Sequence, residues 1–373
     1  MKMTRCVEDK IDMNQTALYN EHVALNGKIV EFAGWMLPVM YSSIIEEHMA
    51  VRTAAGIFDI SHMGEFIISG PGSVPLLKKV IPTRLDKLEP GKAMYSCLSN
   101  PSGGVIDDLF IYMVSVDRYM IVVNASNIEK DLAWLKQHAG NDVTIEDISS
   151  STCKLDLQGP ASKNVLKKII NEKKIDELPR FYFYETQFMG TTVIVSNSGY
   201  TGELGYELYI DNSRAVDLWN GLLNAGAELG LKPIGLGARD SLRIESCYSL
   251  YGHELTDDIS PVEAGLSWLI SSDAEYTARD ILTSQKTNGT ERELICLEIP
   301  DRGIPREGYR IEKNGIDTGY VTSGVFSPLM KKGIAMGLIK SGTAKMGDTL
   351  SIIIRNKPVE AVIVKRPFYV YNG

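Results

Sequence analysis

Beyond about residue 290 the chain loses its helical periods. From residue 292 to the end, apolar residues come in short runs at 294–299, 308–313, 318–323, 335–339, 350–355 and 359–364, with turn-forming residues between them. Between the second and third runs stands Asn314-Gly315, a pair suited to a hairpin turn that needs positive φ. The pattern confines this part of the chain to a separate all-β domain, a small barrel or sandwich. Before about residue 270, strand-like runs alternate with helical stripes. A chain of 373 residues suits two or three domains. The expected class is α+β, with mixed domains first and a β-domain last.

The helices carry their own punctuation. Ser43-Ile-Ile-Glu46 and Ser126-Asn-Ile-Glu129 read as capping boxes, the serine capping and the glutamate reaching back. The first predicts a helix to about Ala55, stopped by Gly56. The second predicts a helix with Ile128, Leu132 and Leu135 on one stripe, stopped by Gly140. Further helices are expected at 73–81, 161–171, 213–229 and 239–246, the third burying Val216, Trp219, Leu222 and Leu223. Strands are expected at 57–60, 65–69, 93–98, 105–114, 119–123, 143–148, 153–157, 181–188, 191–195 and 206–210. Residues 1–15 are polar and read as a mobile lead-in.

The densest chemistry lies at Gly103-Gly-Val-Ile-Asp107-Asp108-Leu-Phe-Ile-Tyr112. In a strand, neighbouring side chains point to opposite faces. Asp108 then shares a face with Ile106, Phe110 and Tyr112, and Asp107 shares the other with Val105, Leu109 and Ile111. A carboxylate beside apolar surface is costly unless paired or used. Two readings fit: a poised functional carboxylate, or a pair capping a turn at a solvated strand end. Gly199-Tyr-Thr-Gly-Glu-Leu-Gly205 matches neither a P-loop nor GxGxxG, so it is either a ligand-approach loop or a turn-rich strand entry. Glu207 follows it in a strand, where a carboxylate can accept two N–H bonds from a planar heterocycle. Arg239 and Arg243 lie one helical turn apart, with Asp240 able to pair locally. They are either a salt-bridge ladder or an arginine aimed at a ligand.

Composition excludes several classes. The net charge of −8 argues against a sequence-independent hold on nucleic acid, and no apolar run is long enough to span a bilayer. The N-terminus does not read as a signal peptide, so a cytoplasmic location is expected. The five cysteines and five histidines are scattered without metal-ligand spacing. Reduced thiols, no metal site and a structural His62 are therefore expected.

One resemblance covers nearly the whole chain. The stretches Phe58-Asp-Ile-Ser-His-Met-Gly64, Gly91-Lys-Ala-Met-Tyr-Ser96, Gly103-Gly-Val-Ile-Asp-Asp-Leu109, Val122-Val-Asn-Ala125, Gln158-Gly-Pro160, Gly199-Tyr-Thr-Gly-Glu203, Gly235-Leu-Gly-Ala-Arg-Asp240, Leu250-Tyr-Gly-His-Glu254 and Glu263-Ala-Gly-Leu266 occur in that order. Together they resemble the folate-dependent aminomethyltransferase family of the glycine cleavage system, the T-proteins. The resemblance implies a three-domain cloverleaf around a central folate channel: a folate-binding α+β domain of 16–62 plus 148–270, a second α+β domain of 63–147 carrying Asp108, and a jelly-roll-like β-domain of 285–373. It implies transfer of the aminomethyl carbon from lipoylated H-protein to tetrahydrofolate as co-substrate, with release of ammonia.

Carried over by position, the resemblance makes Asp108 the essential aspartate and Asp107 a structural partner bonded to its own turn. Glu207 becomes the pterin-gripping carboxylate and Arg239 the folate-site arginine. Met63, Tyr95, Asn124, Tyr200 and Trp268 become lining or supporting residues, and Tyr369 or Tyr371 the family's C-terminal tyrosine. The sequence departs from the family at Asn197-Ser198, Trp35-Met-Leu-Pro38, Met40 and Ser327-Pro-Leu329. The alternatives are a folate-dependent demethylase of a small methylated compound and a folate-binding iron–sulfur assembly protein. The Lys-Gly-Cys-Tyr-type signature of the latter is missing from the sequence.

Overall fold

The computed structural model describes residues 13–170 and 172–371. Most of the polar lead-in, with Cys6, lies outside the described residues. A six-stranded sheet runs in the order Phe183–Phe188, Thr191–Ser196, Gly205–Asp211, Thr152–Gln158, Ala55–Asp59, Leu231–Pro233. Its pairs are antiparallel except the last, which is parallel. Period-2 alternation sends Leu155, Leu157, Val193, Val195, Tyr206 and Leu208 to one face. There they meet the helices Ser162–Ile169 and Ala215–Gly226.

The second of these helices buries Ala215, Leu218, Trp219 and Leu222, and leaves Val216, expected inside, exposed. A 3₁₀ turn over Asn212–Arg214 precedes it and sets the helical register, so the buried stripe runs i, i+3, i+4, i+7 from Ala215.

A second, five-stranded antiparallel sheet runs Lys92–Ser99, Val105–Ser115, Arg118–Val123, Gly64–Ser69, Thr144–Asp147. One face, with Phe66, Ile68, Leu109, Ile111 and Ile121, packs with the helices Ser73–Val80 and Ile128–His138. The opposite face, with Ala93, Tyr112, Met120 and Val122, meets Phe183 and Tyr209 of the first sheet. The two sheets thus close on each other, and the polar face of the first is shut away from bulk water.

The C-terminal strands form a closed six-stranded barrel: Arg292–Ile299, Lys332–Lys340, Ile316–Ser327, Arg310–Lys313, Thr349–Ile354 and Lys357–Val364. Asn314 (φ 54°) and Gly315 (φ 76°) make the expected turn. Leu297, Ile311, Val321, Ala335, Ile352 and Ala361 fill the interior.

Several local expectations are corrected. Ser43 caps the helix Ile44–Thr53 by accepting from the Glu46 N–H at 3.2 Å. The inward carboxylate is Glu47, not Glu46, and it receives the N–H groups of Tyr41, Ser42 and Gly235. The helix stops before Ala55, and Gly56 belongs to a strand. The box at Ser126 does not form either, because a 3₁₀ turn covers Ala125–Asn127 and Asn127 precedes the helix without capping it. Its amide is committed to Asp107 instead. The hairpin Lys28–Phe32/Trp35–Met40 and the helix Arg279–Asn288 went unread in the sequence. Among the described residues no helix is long and apolar enough to cross a membrane, and the four described cysteines are free and buried.

Candidate active site

Asp108 projects from the strand Val105–Ser115 toward the facing sheet and is half-buried. Two donors hold its carboxyl group: Tyr95 Oη at 2.8 Å to Oδ2, and Asn124 Nδ2 at 2.9 Å to Oδ1. Burial, and then the neighbouring Asp107, push this carboxyl up to about 7, against the pull of those two hydrogen bonds. Burial and Asp108 together raise the Tyr95 hydroxyl, which keeps it a donor.

Asp107 points to the other face and is fully buried. The expectation that it bonds its own turn is wrong. Asp107 receives Asn124 N–H at 2.9 Å, Asn124 Nδ2 at 2.8 Å and Asn127 Nδ2 at 2.6 Å. These donors come from the segment that follows the next strand, so the Asn124 amide bridges both aspartates.

Glu207 sits on the polar face of the six-stranded sheet, 7% exposed. Lys154 Nζ lies 2.8 Å from Oε1, while Ser198 Oγ at 2.5 Å and Tyr112 Oη at 3.3 Å reach Oε2. Burial pushes this carboxyl up, but the Lys154 charge and the hydrogen bonds from Lys154 and Ser198 outweigh it and hold it below the ordinary value. Lys154 Nζ also lies 3.5 Å from Met63 Sδ.

Directly across from Glu207 on the next strand is Asp156, which Arg239 Nη1 reaches at 3.3 Å. Burial and Glu207 push the Asp156 carboxyl up to about 7. The Arg239 guanidinium lies over the Tyr200 ring, 4.7 Å from its centroid. Arg243 pairs with Asp240 as expected, but it is itself buried and also bonds Glu254 and Ser323 of the barrel. The two arginines therefore serve different ends.

The glycine-rich loop takes the strand-entry reading. A Cβ on Gly199 or Gly205 would stand 2.0 Å from Gln158 Nε2. The space serves that amide, which bonds Asp156, the Ser198 carbonyl and Thr201 Oγ1. No phosphate cradle is needed to explain these glycines.

The structure brings the expected residues together. The Tyr95 ring lies 5.5 Å from Phe110 and 6.1 Å from Trp268, and Phe110 lies 6.3 Å from Tyr112, which touches Glu207. This aromatic path joins the Asp108 and Glu207 ends. Trp268 is 63% exposed. Tyr200 stacks on Tyr248 at 5.7 Å and donates to the Ser249 carbonyl. Of the two C-terminal tyrosines, Tyr369 is the packed one, its ring 3.9 Å from Arg52 Cζ; Tyr371 is exposed.

Lys154 and Asp156 are the candidate-site residues that sequence reasoning missed, whereas Tyr112 was read only as a neighbour on the Asp108 face and Ser198 only as a departure from the family. The alternation of Cys153-Lys-Leu-Asp-Leu-Gln158 was the available signal, because it sets a polar face opposite an apolar one. Among the described residues, no group of three or more His, Cys, Asp or Glu side chains could hold a metal ion.

Comparison with known proteins agrees along the whole chain. The family model "GCVT N-terminal domain" matches residues 18–274, and "Glycine cleavage T-protein C-terminal barrel domain" matches residues 292–369. An aminomethyltransferase of Desulforamulus reducens is 45% identical over 359 residues, 96% of this chain and 98% of that protein. That of Bacillus subtilis is 42% identical over 359 residues, 96% and 99% of the two chains. The crystal structure of the glycine cleavage system aminomethyltransferase T of Bartonella henselae superposes with a TM-score of 0.90 at 30% identity, over 96% of this chain and 98% of that one. Two mixed α/β sheets closed on each other, a terminal barrel and full-length similarity lead to one assignment: the chain belongs to the glycine cleavage T-protein family of aminomethyltransferases.

Proposed function

We propose that this aminomethyltransferase binds tetrahydrofolate between its two facing sheets, takes the aminomethyl carbon from lipoylated H-protein, and uses Asp108 as its acid–base group. The observation that carries the reading is the Asp108 carboxyl, half-buried, held by Tyr95 and Asn124, and pushed up to about 7. We also propose 16–62 plus 148–270, 63–147 and 285–373 as the three domains, since each range carries one of the larger sheets.

The polar groups fit a planar heterocycle with N–H donors. An ionised carboxylate offers about four acceptor positions, so Glu207 keeps room for a ligand beside Lys154, Ser198 and Tyr112. Arg239 offers its guanidinium, while Tyr95, Phe110 and Trp268 offer aromatic faces. Tetrahydrofolate supplies the nucleophilic nitrogen that takes over the methylene carbon. A carboxyl group near neutrality can hand a proton to the departing amine. As a carboxylate, Asp108 opposes positive charge that develops beside it, in surroundings that screen weakly.

The decisive assay is methylenetetrahydrofolate formation from aminomethylated H-protein and tetrahydrofolate. Asp108→Asn should lower turnover by roughly 10²–10⁴-fold while folate affinity stays near that of the wild type. No product with an active carrier protein would overturn this reading in favour of a small methylated substrate.

A further inference from the structure

Asp131 is a buried titratable group that the reaction, as described, leaves without a task. It lies on the helix Ile128–His138, fully buried, and neither carboxyl oxygen receives a hydrogen bond. A buried carboxylate without partners is costly. Burial, and then the field of Asp107, push the Asp131 carboxyl up to about 11. It keeps its proton at neutral pH and so becomes a donor.

Asp107 is the acceptor that the packing offers, because the turn leading into the Asp131 helix is already bonded to its carboxyl group. Asn127, in the turn that leads into the helix and four residues before Asp131, already directs Nδ2 to Asp107 Oδ1 at 2.6 Å. Asn124 adds its N–H at 2.9 Å and its Nδ2 at 2.8 Å, and that same Nδ2 reaches Asp108 Oδ1 at 2.9 Å. Amide donors from two asparagines thus fill acceptor positions on Asp107. Lys130 is turned away, with Nζ 2.6 Å from Tyr251 Oη and 3.8 Å from Asp257. The other titratable groups near the pair are Cys97 on the adjoining strand, Tyr251 on the Lys130 side, and Tyr95 and Tyr200 on the Asp108 side.

We propose that Asp131 is a positioning residue of the transfer reaction: its carboxyl group donates to Asp107, which fixes the Asn124 amide, which in turn orients Asp108. This rests on Asp108 being the acid–base group.

The test follows kcat and the KM for folate across pH in Asp131→Asn, Asp131→Leu and Asp107→Asn, with melting curves to verify folding. Asp131→Asn retains a neutral donor and should stay within about threefold of wild-type kcat. Asp131→Leu removes the donor and should lower kcat roughly 10–100-fold at unchanged KM. Asp107→Asn removes the charge beside Asp108, so the limb of the pH profile near 7 should move to lower pH. Wild-type kcat in Asp131→Leu would overturn the proposal, and so would equal losses in both Asp131 variants. If Asp131→Leu does not fold, an unmoved limb in Asp107→Asn overturns it. Turnover that survives Asp108→Asn would instead remove the acid–base reading beneath it.

Discussion

At Glu207 and Lys154 a single ion pair ties the proposed folate recognition to stability. Both side chains are buried and 2.8 Å apart. Breaking such a pair from one side strands the other charge, which typically costs about 3–5 kcal/mol. Lys154→Met should therefore lower the melting temperature markedly. Glu207→Ala should weaken tetrahydrofolate binding, and unchanged affinity by calorimetry would remove Glu207 from the folate site. Ser198, read in the sequence as a departure from the family, carries a hydroxyl that bonds Glu207 at 2.5 Å. Glu207, Asp108 and Arg239 were legible as residues. The partners of Glu207 and Arg239 were not, because Lys154 and Asp156 stand some fifty and eighty residues from the groups they pair with.

At the scale of elements, alternation and turn chemistry carried most of the reading. Helices drifted where a side chain had a better use than capping. Asn127 illustrates this, its amide going to Asp107 while a 3₁₀ turn starts the helix. Ser43 does cap, so Ser43→Ala should cost about 1 kcal/mol in denaturant unfolding. The strand that carries both aspartates begins where two loops nearly touch. A Cβ on Gly104 would stand 1.7 Å from the Asp257 carbonyl oxygen, and the adjacent Val105 N–H bonds the Thr256 and Ile259 carbonyls. Gly104→Ala must push that loop away. It should destabilise by about 1–3 kcal/mol and lower turnover, since the displaced strand holds Asp107 and Asp108.

For the whole molecule, closing one sheet on another gathers buried acids whose protons matter to stability. Glu65 is fully buried without a hydrogen-bond partner. Burial pushes its carboxyl from 4.5 up to about 8, with Lys154 opposing and Glu207 and Asp147 assisting. A carboxyl that binds its proton more tightly when folded contributes fully below the unfolded value and loses that contribution as pH rises through the folded one. The melting temperature of Glu65→Gln should therefore gain on that of the wild type from about pH 5 to about pH 8 and level off above. A gain that stays flat across this range would show that Glu65 does not titrate there. Asp59 and Glu245 act in the opposite sense. His22 and His48 hold their carboxyls low despite burial, so their stabilisation is lost on acidification.

The sequence by itself determined which face each strand residue takes, where the barrel begins, and which ordered motifs mark the family. These follow from local geometry and from residue identity. Whether a polar face is wet or dry is decided only when another sheet covers it, because desolvation depends on neighbours far away in the chain. The tertiary structure therefore decided that Lys154 and Asp156 pair in the dark with Glu207 and Arg239. It also buried Asp108 next to an Asp107 held by the amides of Asn124 and Asn127, and burial first and Asp107 second raised the Asp108 carboxyl toward neutrality.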